Sequence, residues 1–208
     1  WDPSSGQTFI NGVSMGSVAG NKIFLTIWDG NGVDTYNLSA YSSNLSIDLQ
    51  PGAWSTFNTS ATAQRASLGN GNFAAGNVAN ALLYNGNTQS LIDNVIGGTG
   101  NDTIVGNVIS NDLNGGGGSD ILNGLAGADV LTGGAGADTF RFDSAAFGGT
   151  YDQIADYNYA ANDIIDLSSL ISNGANLSSF VKAEASGNVA SLFVDRDGSG
   201  TTYGWTKI

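Results

Sequence analysis

Apolar side chains recur at every ninth position through the middle of the chain: Ile104, Leu113, Leu122, Leu131 and Phe140. Each has a polar neighbour on at least one side, and an aspartate or asparagine two residues before it: Asp102, Asn111, Asp120, Asp129 and Asp138. Four blocks carry the pattern in register, Gly97–Val105 (GGTGNDTIV), Gly115–Asn123 (GGGGSDILN), Gly124–Thr132 (GLAGADVLT) and Gly133–Arg141 (GGAGADTFR). A fifth, Gly106–Asn114 (GNVISNDLN), keeps the period but has lost most of its glycines. Three residues with an apolar centre predict a short strand, its central side chain inward and its neighbours outward. Two such half-turns make a coil of about 18 residues. Loops two blocks apart then stack on one edge, so Asp102, Asp120 and Asp138 are expected on one side, with Asn111 and Asp129 on the other. A glycine-rich linker would also be rich in these residues, but a linker has no reason to keep its apolar positions in phase. Upstream, Asp93 and Val95 hold the same register without the glycines; downstream, Phe147 stands where the next aspartate is due, so the repeat is expected to end near Phe142.

Outside the repeat the pattern predicts mostly strands. Lys22–Trp28 and Leu45–Leu49 read as strands, the second half-buried by its alternation. Asp29–Asn37 (DGNGVDTYN) is a lone copy of the nonapeptide with Tyr36 in the apolar slot, read either as an isolated loop between strands or as an ordinary hairpin turn. Residues 51–72 read as loop, and Asn77–Tyr84 suits helix or strand equally. Tyr151–Tyr157 and Asp163–Leu167 flank a turn, with one helical turn over Leu167–Ile171. Strands follow over Phe180–Glu184 and Val189–Val194, and an apolar strand closes the chain over Tyr203–Ile208. Asp195–Gly200 resembles the start of an EF-hand loop, but the twelfth position is Thr206 and lacks the bidentate carboxylate, so a plain hairpin turn competes.

The repeat loops suggest metal chemistry. Glycine enters left-handed conformations without a Cβ clash, so a tight reversal turns successive carbonyls toward one point, and the aspartate adds a charge to that ring. Calcium takes six to eight oxygen ligands in flexible geometry. The balance of charge agrees: 18 acids stand against 6 bases, for a net charge of −12, and roughly six divalent ions would neutralise it. The same balance argues against nucleic acid and anionic membranes as partners. The 208 residues make one large β domain or two small ones, and 41% hydrophobic residues suffice for a core. Without cysteine or histidine, the chain holds no zinc site of the usual Cys/His kind, no thiol nucleophile and no His-based triad. No apolar run approaches a membrane span, so no membrane insertion is expected. The opening Trp1-Asp2-Pro3 is not a signal peptide, and with no initiator Met the chain is expected to be a segment of something longer.

Taken in order, IWDGNGVDTYNLSAYSSNLSIDL, SLIDNVIGGTGND, the repeat block, GGAGADTFRF and the DQIADY…NDIIDLSSL segment resemble the C-terminal half of serralysins, secreted zinc metalloproteases of Gram-negative bacteria. The resemblance covers nearly the whole chain. It implies an all-β fold, a parallel β-roll of RTX nonapeptide repeats embedded in a β-sandwich. The implied division is 1–92 as the N-terminal part of the sandwich with one isolated calcium loop, 93–142 as the roll, and 143–208 as strands completing the sandwich. It also implies several calcium ions, calcium-induced folding, type I secretion to the extracellular medium, and an N-terminal protease half, covalent or associated, as partner. Carried over by position, the isolated site would use Asp29, Asn31, Gly32 and Asp34. The entry site of the roll would use the Leu91 carbonyl, Asp93, Gly98, Gly100 and Asp102. Later sites would use Gly115, Gly116, Gly117, Gly118, Asp120, Gly124, Ala126, Asp129, Gly133, Ala135 and Asp138. Zinc would belong only to the catalytic half, since the family's H-E-x-x-H helix needs histidine. The missing glycines around Asn111 imply a weaker site there, or none.

Two other functions fit parts of the sequence. A module of another secreted protein, a carbohydrate-active enzyme or an adhesin, would bind polysaccharide or a surface through Trp1, Trp28, Trp54, Tyr41 and Tyr203, although these aromatics equally suit a β core. Catalysis by an aspartate pair, Asp195 with Asp197 or Asp163 with Asp166, has the right side chains for glycosidase chemistry, but no apolar pocket is evident around them.

Overall fold

The computed structural model describes residues 7–10, 13–17, 25–58, 65–147, 150–171, 177–195 and 205–208. Trp1, Lys22–Phe24, Tyr203 and residues 196–200 of the aspartate-rich turn lie outside the described residues, as does Asp197.

The nine-residue period builds two five-stranded parallel sheets. One runs in the order Gln153–Ile154, Val130–Ala135, Asp112–Gly117, Asn94–Ile96, Thr35–Asn37. The other runs Ile164–Asp166, Thr139–Arg141, Ile121–Asn123, Thr103–Val105, Ser46–Asp48. Successive half-turns of the chain alternate between the sheets, so each sheet pairs residues one whole coil apart. Val95 pairs with Leu113 and Leu113 with Leu131; Ile104 pairs with Leu122 and Leu122 with Phe140. The apolar centres therefore stack in two columns that meet in a single core. Ile104, Leu113, Leu122, Leu131 and Phe140 are each 0% exposed. Burying such a side chain contributes about 1.5–3 kcal/mol. That contribution repeats with every half-turn, which lets strands of three residues hold.

The strict spacing stops at Phe142, but the ladders do not. Val130 pairs with Gln153 and Thr139 with Ile164, offsets of 23 and 25 residues where the repeat has 18 (Asp112 to Val130). The segments containing Ser144–Phe147 and Tyr159–Ala161, both short 3-10 turns, take up the extra length. Upstream, Tyr36 pairs with Val95 and Ile47 with Ile104, so the lone nonapeptide and the Leu45–Leu49 strand form one more coil on the same roll. The loop over Asp29–Asp34 lies between Leu25–Ile27 and Thr35–Asn37, strands of different sheets, so it is a loop between strands and not a hairpin turn.

The remaining strands flank this body. Within Asn77–Tyr84, Val78–Asn80 is a strand, parallel to Leu25–Ile27 and antiparallel to Trp54–Ser55. Its side chains are all buried, a setting that favours strand over helix for this ambiguous run. The 51–72 stretch includes that Trp54–Ser55 strand and Ser67–Gly69, the first arm of a hairpin with Asn72–Phe73. Val181–Ser186 and Val189–Val194 form an antiparallel pair extended by Thr206–Lys207, and Gln7–Ile10 pairs with Val13–Ser17. Over Leu167–Ile171 the N–H groups of Leu170 and Ile171 both donate to the Leu167 carbonyl, closing a turn without a helix. The chain is all-β, with parallel sheets of the β-roll kind.

Candidate metal centre

The aspartates of the repeat leave the strands at the two edges of the roll and turn back over their own glycine loops. Space for this exists only because the first residue of each loop has no side chain. A Cβ on Gly115 would fall on the Asp120 carboxylate and lie 2.8 Å from the Gly133 carbonyl oxygen. Gly116 and Gly134 also need glycine for their backbone, at φ +97 and +96.

Along one edge the carboxylates form a ladder. The Leu45 N–H donates to Asp102 Oδ1 at 2.8 Å, the Asp102 N–H to Asp120 Oδ1 at 2.7 Å, and the Asp120 N–H to Asp138 Oδ1 at 2.9 Å. Along the other, the Asp34 N–H donates to Asp93 Oδ2 at 2.8 Å and the Asn111 N–H to Asp129 Oδ1 at 2.8 Å. Asn111 fills the rung between them differently: its Nδ2 donates to the Asp93 carbonyl at 2.9 Å, and its Oδ1 accepts the Asn107 N–H at 2.8 Å. An amide thus keeps the ladder closed while bringing no charge.

The second oxygen of each carboxylate is the informative one. Asp102 Oδ2 accepts the Gly98 N–H at 2.9 Å. Asp34, Asp120, Asp129 and Asp138 each hold a buried Oδ2 with no hydrogen-bond partner, and the last three residues are 1% exposed. A buried carboxylate without a partner is costly, and a protein normally neutralises or pairs it. Burial pushes Asp120 and Asp129 up to about 7. The repulsion of Asp102 and Asp138 adds to the rise at Asp120, and Asp152 adds to it at Asp129, while the ladder N–H groups oppose it. Burial raises Asp102 and Asp138 in the same way, and desolvation with the nearby Asp29 and Asp93 raises Asp34. These are the marks of oxygens arranged for a cation. Among the described residues no three acidic side chains converge on one point.

The structure brings the other expected positions to the same loops. Gly116 packs against the Gly98 carbonyl and Gly118 against that of Gly100. Gly98 O accepts the Gly117 N–H at 3.0 Å, and Ala135 O accepts the Gly118 N–H at 2.8 Å; each carbonyl retains a second lone pair. Gly124 faces Asp129 and Gly133 faces Asp138, repeating the Gly115–Asp120 relation. Ala126 reaches the previous coil by donating its N–H to the Asn107 carbonyl. In the first loop Asn31 donates its N–H to Asp29 Oδ2 at 3.2 Å, Gly32 lies over Asp34 Oδ2, and Leu91 is buried beside Asp93.

Sequence reasoning missed the lower rungs. The Asp129 N–H donates to Asp152 Oδ1 at 3.0 Å and the Asp138 N–H to Asp163 Oδ1 at 3.1 Å. Asp156 takes the N–H groups of Gly133 and Gly134 at 2.9 and 2.8 Å. A signal was present, since Asp152-Gln153-Ile154 and Asp163-Ile164-Ile165 keep the aspartate two residues before an apolar centre; only the period was lost. A second ladder also escaped notice: the Asn101 N–H donates to Asn44 Oδ1 and the Ser119 N–H to Asn101 Oδ1.

The alternative sites fare differently. Asp163 is committed to the ladder, and Asp166 is held below the usual carboxylate range first by its hydrogen bonds from Ser168 and then by its pair with Arg141. Tyr41 is core, tilted against Phe57 at 5.4 Å. Trp28 is exposed, and Trp54 lies half-buried in its strand. Among the described residues no helix is long and apolar enough to cross a membrane.

No curated protein matches the chain. Residues 13–202 match the family model described as Peptidase M10 serralysin C terminal. With its stacked aspartate loops on a parallel roll and a match over nearly its whole length, the chain belongs to the serralysin C-terminal family.

Proposed function

We propose that this chain is the calcium-binding C-terminal module of a secreted zinc metalloprotease, and that calcium drives its folding after type I secretion. The observation that carries this reading is the set of buried, unpartnered carboxylate oxygens on Asp120, Asp129 and Asp138. Asp102, Asp120, Asp129 and Asp138 would hold the ions together with the loop carbonyls of Gly98, Gly100, Gly115–Gly118, Gly124, Ala126, Gly133 and Ala135. Asp152, Asp156 and Asp163 lie where they would serve the last loops. A further ion belongs at Asp29, Asn31, Gly32, Asp34 and Asp93. Bound calcium supplies positive charge where the chain has gathered negative charge. The chain's own part is to point the oxygens inward, bury them and hold successive coils in register. Inside a cell, where calcium is scarce, the acidic loops repel and the chain stays extended enough for export. Outside, weak sites fill at roughly millimolar calcium, and their binding free energy becomes folding free energy.

Far-UV circular dichroism of the EGTA-stripped chain, titrated with calcium and with magnesium as control, tests the proposal. A cooperative coil-to-β transition specific for calcium is expected. A β spectrum already complete in EGTA would overturn it.

A further inference from the structure

The ladder bonds run along each edge of the roll and not between the edges. Asp138 accepts from Asp120 and Asp120 from Asp102 on one side; Asp152 accepts from Asp129 and Asp129 from Asn111 on the other. In every case the side chain that faces a loop also fixes the backbone of the loop one coil earlier. The N–H it fixes belongs to the residue at the earlier loop's own carboxylate position, which is Asp102, Asp120 or Asp129 in three of these bonds and the amide Asn111 in the fourth. Neighbours in sequence, such as Asp120 and Asp129, share no such bond. Between the edges lie the closed columns of Leu113, Leu122, Leu131 and Phe140, which hold no polar group to carry a signal across.

We infer that each ladder carboxylate is the positioning residue for the metal loop one coil before it, so that the sites are coupled in two separate rows, one per edge. The coupling skips the loop nine residues away and reaches the one eighteen away. Asp163 and Asp152, outside the regular repeats, close the two rows: Asp163 accepts from both Asp138 and Asn158, and Asp152 accepts from Asp129. This inference rests on the calcium reading above, because the loops being positioned are its sites.

Amide hydrogen exchange of the full chain in saturating calcium, combined with calcium titrations, tests it. Asp138→Ala removes the acceptor of the Asp120 N–H, and Asp129→Ala that of the Asn111 N–H. The first is expected to speed exchange at the Asp120 amide and leave Asn111 unchanged, and the second to do the reverse, by between about two- and a hundredfold, the range of couplings within one network. Asp138→Asn keeps an acceptor oxygen and should restore slow exchange at Asp120 while still weakening calcium binding. In titrations, Asp120→Ala with Asp138→Ala, which remove the acceptors, should shift the calcium midpoint by a factor different from the product of the single shifts, and Asp120→Ala with Asp129→Ala by that product. Should Asp138→Ala fail to fold, Asp163→Ala gives the same test one rung lower, with the Asp138 amide as reporter. Equal exchange at both edges, or the product rule holding within a row, overturns the inference. A wild-type chain indifferent to calcium would overturn the calcium reading instead.

Discussion

Leu122→Ala links the core to the metal. Leu122 is 0% exposed, stacked between Ile104 and Phe140 in its own sheet, and touches no proposed ligand chemically. Truncating a fully buried leucine costs about 2–5 kcal/mol in lost burial and residual cavity. Neighbouring strands of three residues tied into ladders leave little freedom for collapse, so a value of about 3 kcal/mol is a fair centre. If folding and binding are one reaction, that cost must be offset by more ligand. For n ions bound on folding, the calcium midpoint rises by exp(ΔΔG/nRT). With about three ions, one per unpartnered carboxylate of the repeat, the rise is roughly fivefold; with about six it is roughly twofold. Circular dichroism at 218 nm (about the usual β minimum) during calcium titration of wild type and variant measures it. An unchanged midpoint, with normal β signal at saturation, would refute the linkage: the roll would then be folding independently of its ions.

Three further outcomes follow from the same structure. Because Asp120 and Asp129 have folded values raised to about 7, the metal-free fold binds more protons than the unfolded chain between about pH 4 and 7, so its stability falls as pH rises through that window. Calcium must displace those protons, and the titration midpoint should therefore be higher at pH 5 than at pH 8; equal midpoints would contradict the burial of these groups. Gly136→Ala places a Cβ on the Gly118 carbonyl at φ +142 and should prevent the roll from closing, whereas Gly86→Ala, at φ +72 with nothing within 4 Å, should cost only about 1 kcal/mol of backbone strain in urea unfolding. Arg141→Ala breaks the pair with Asp166 at 3.1 Å, but with the arginine side chain 44% exposed the loss should stay below about 1 kcal/mol in the same unfolding assay.

The sequence alone determined the roll, because its physics is local and repeated. A period of nine set the inward column and the assignment of Asp102, Asp120 and Asp138 to one edge with Asn111 and Asp129 on the other, and each statement needed only neighbours in the chain; the three-residue strand length holds in one sheet, while Asp112–Gly117 and Val130–Ala135 in the other run on to six residues. It also placed the glycines, since a loop that closes over its own aspartate leaves no room for a side chain at Gly115 or Gly133. What it did not determine were contacts made across gaps of irregular length. Tyr36 and Ile47 join the roll across offsets of 59 and 57 residues (to Val95 and Ile104), and Asp152 and Asp163 rejoin the ladder after insertions that erase the period. Only the tertiary structure decides such pairings, because a missing coil is recognised by an open sheet edge and an unfilled amide and not by a count along the chain. The partners of the second carboxylate oxygens are of the same kind. The Oδ2 of Asp102 finds the Gly98 N–H while those of Asp120, Asp129 and Asp138 find none, although the loops look alike in sequence.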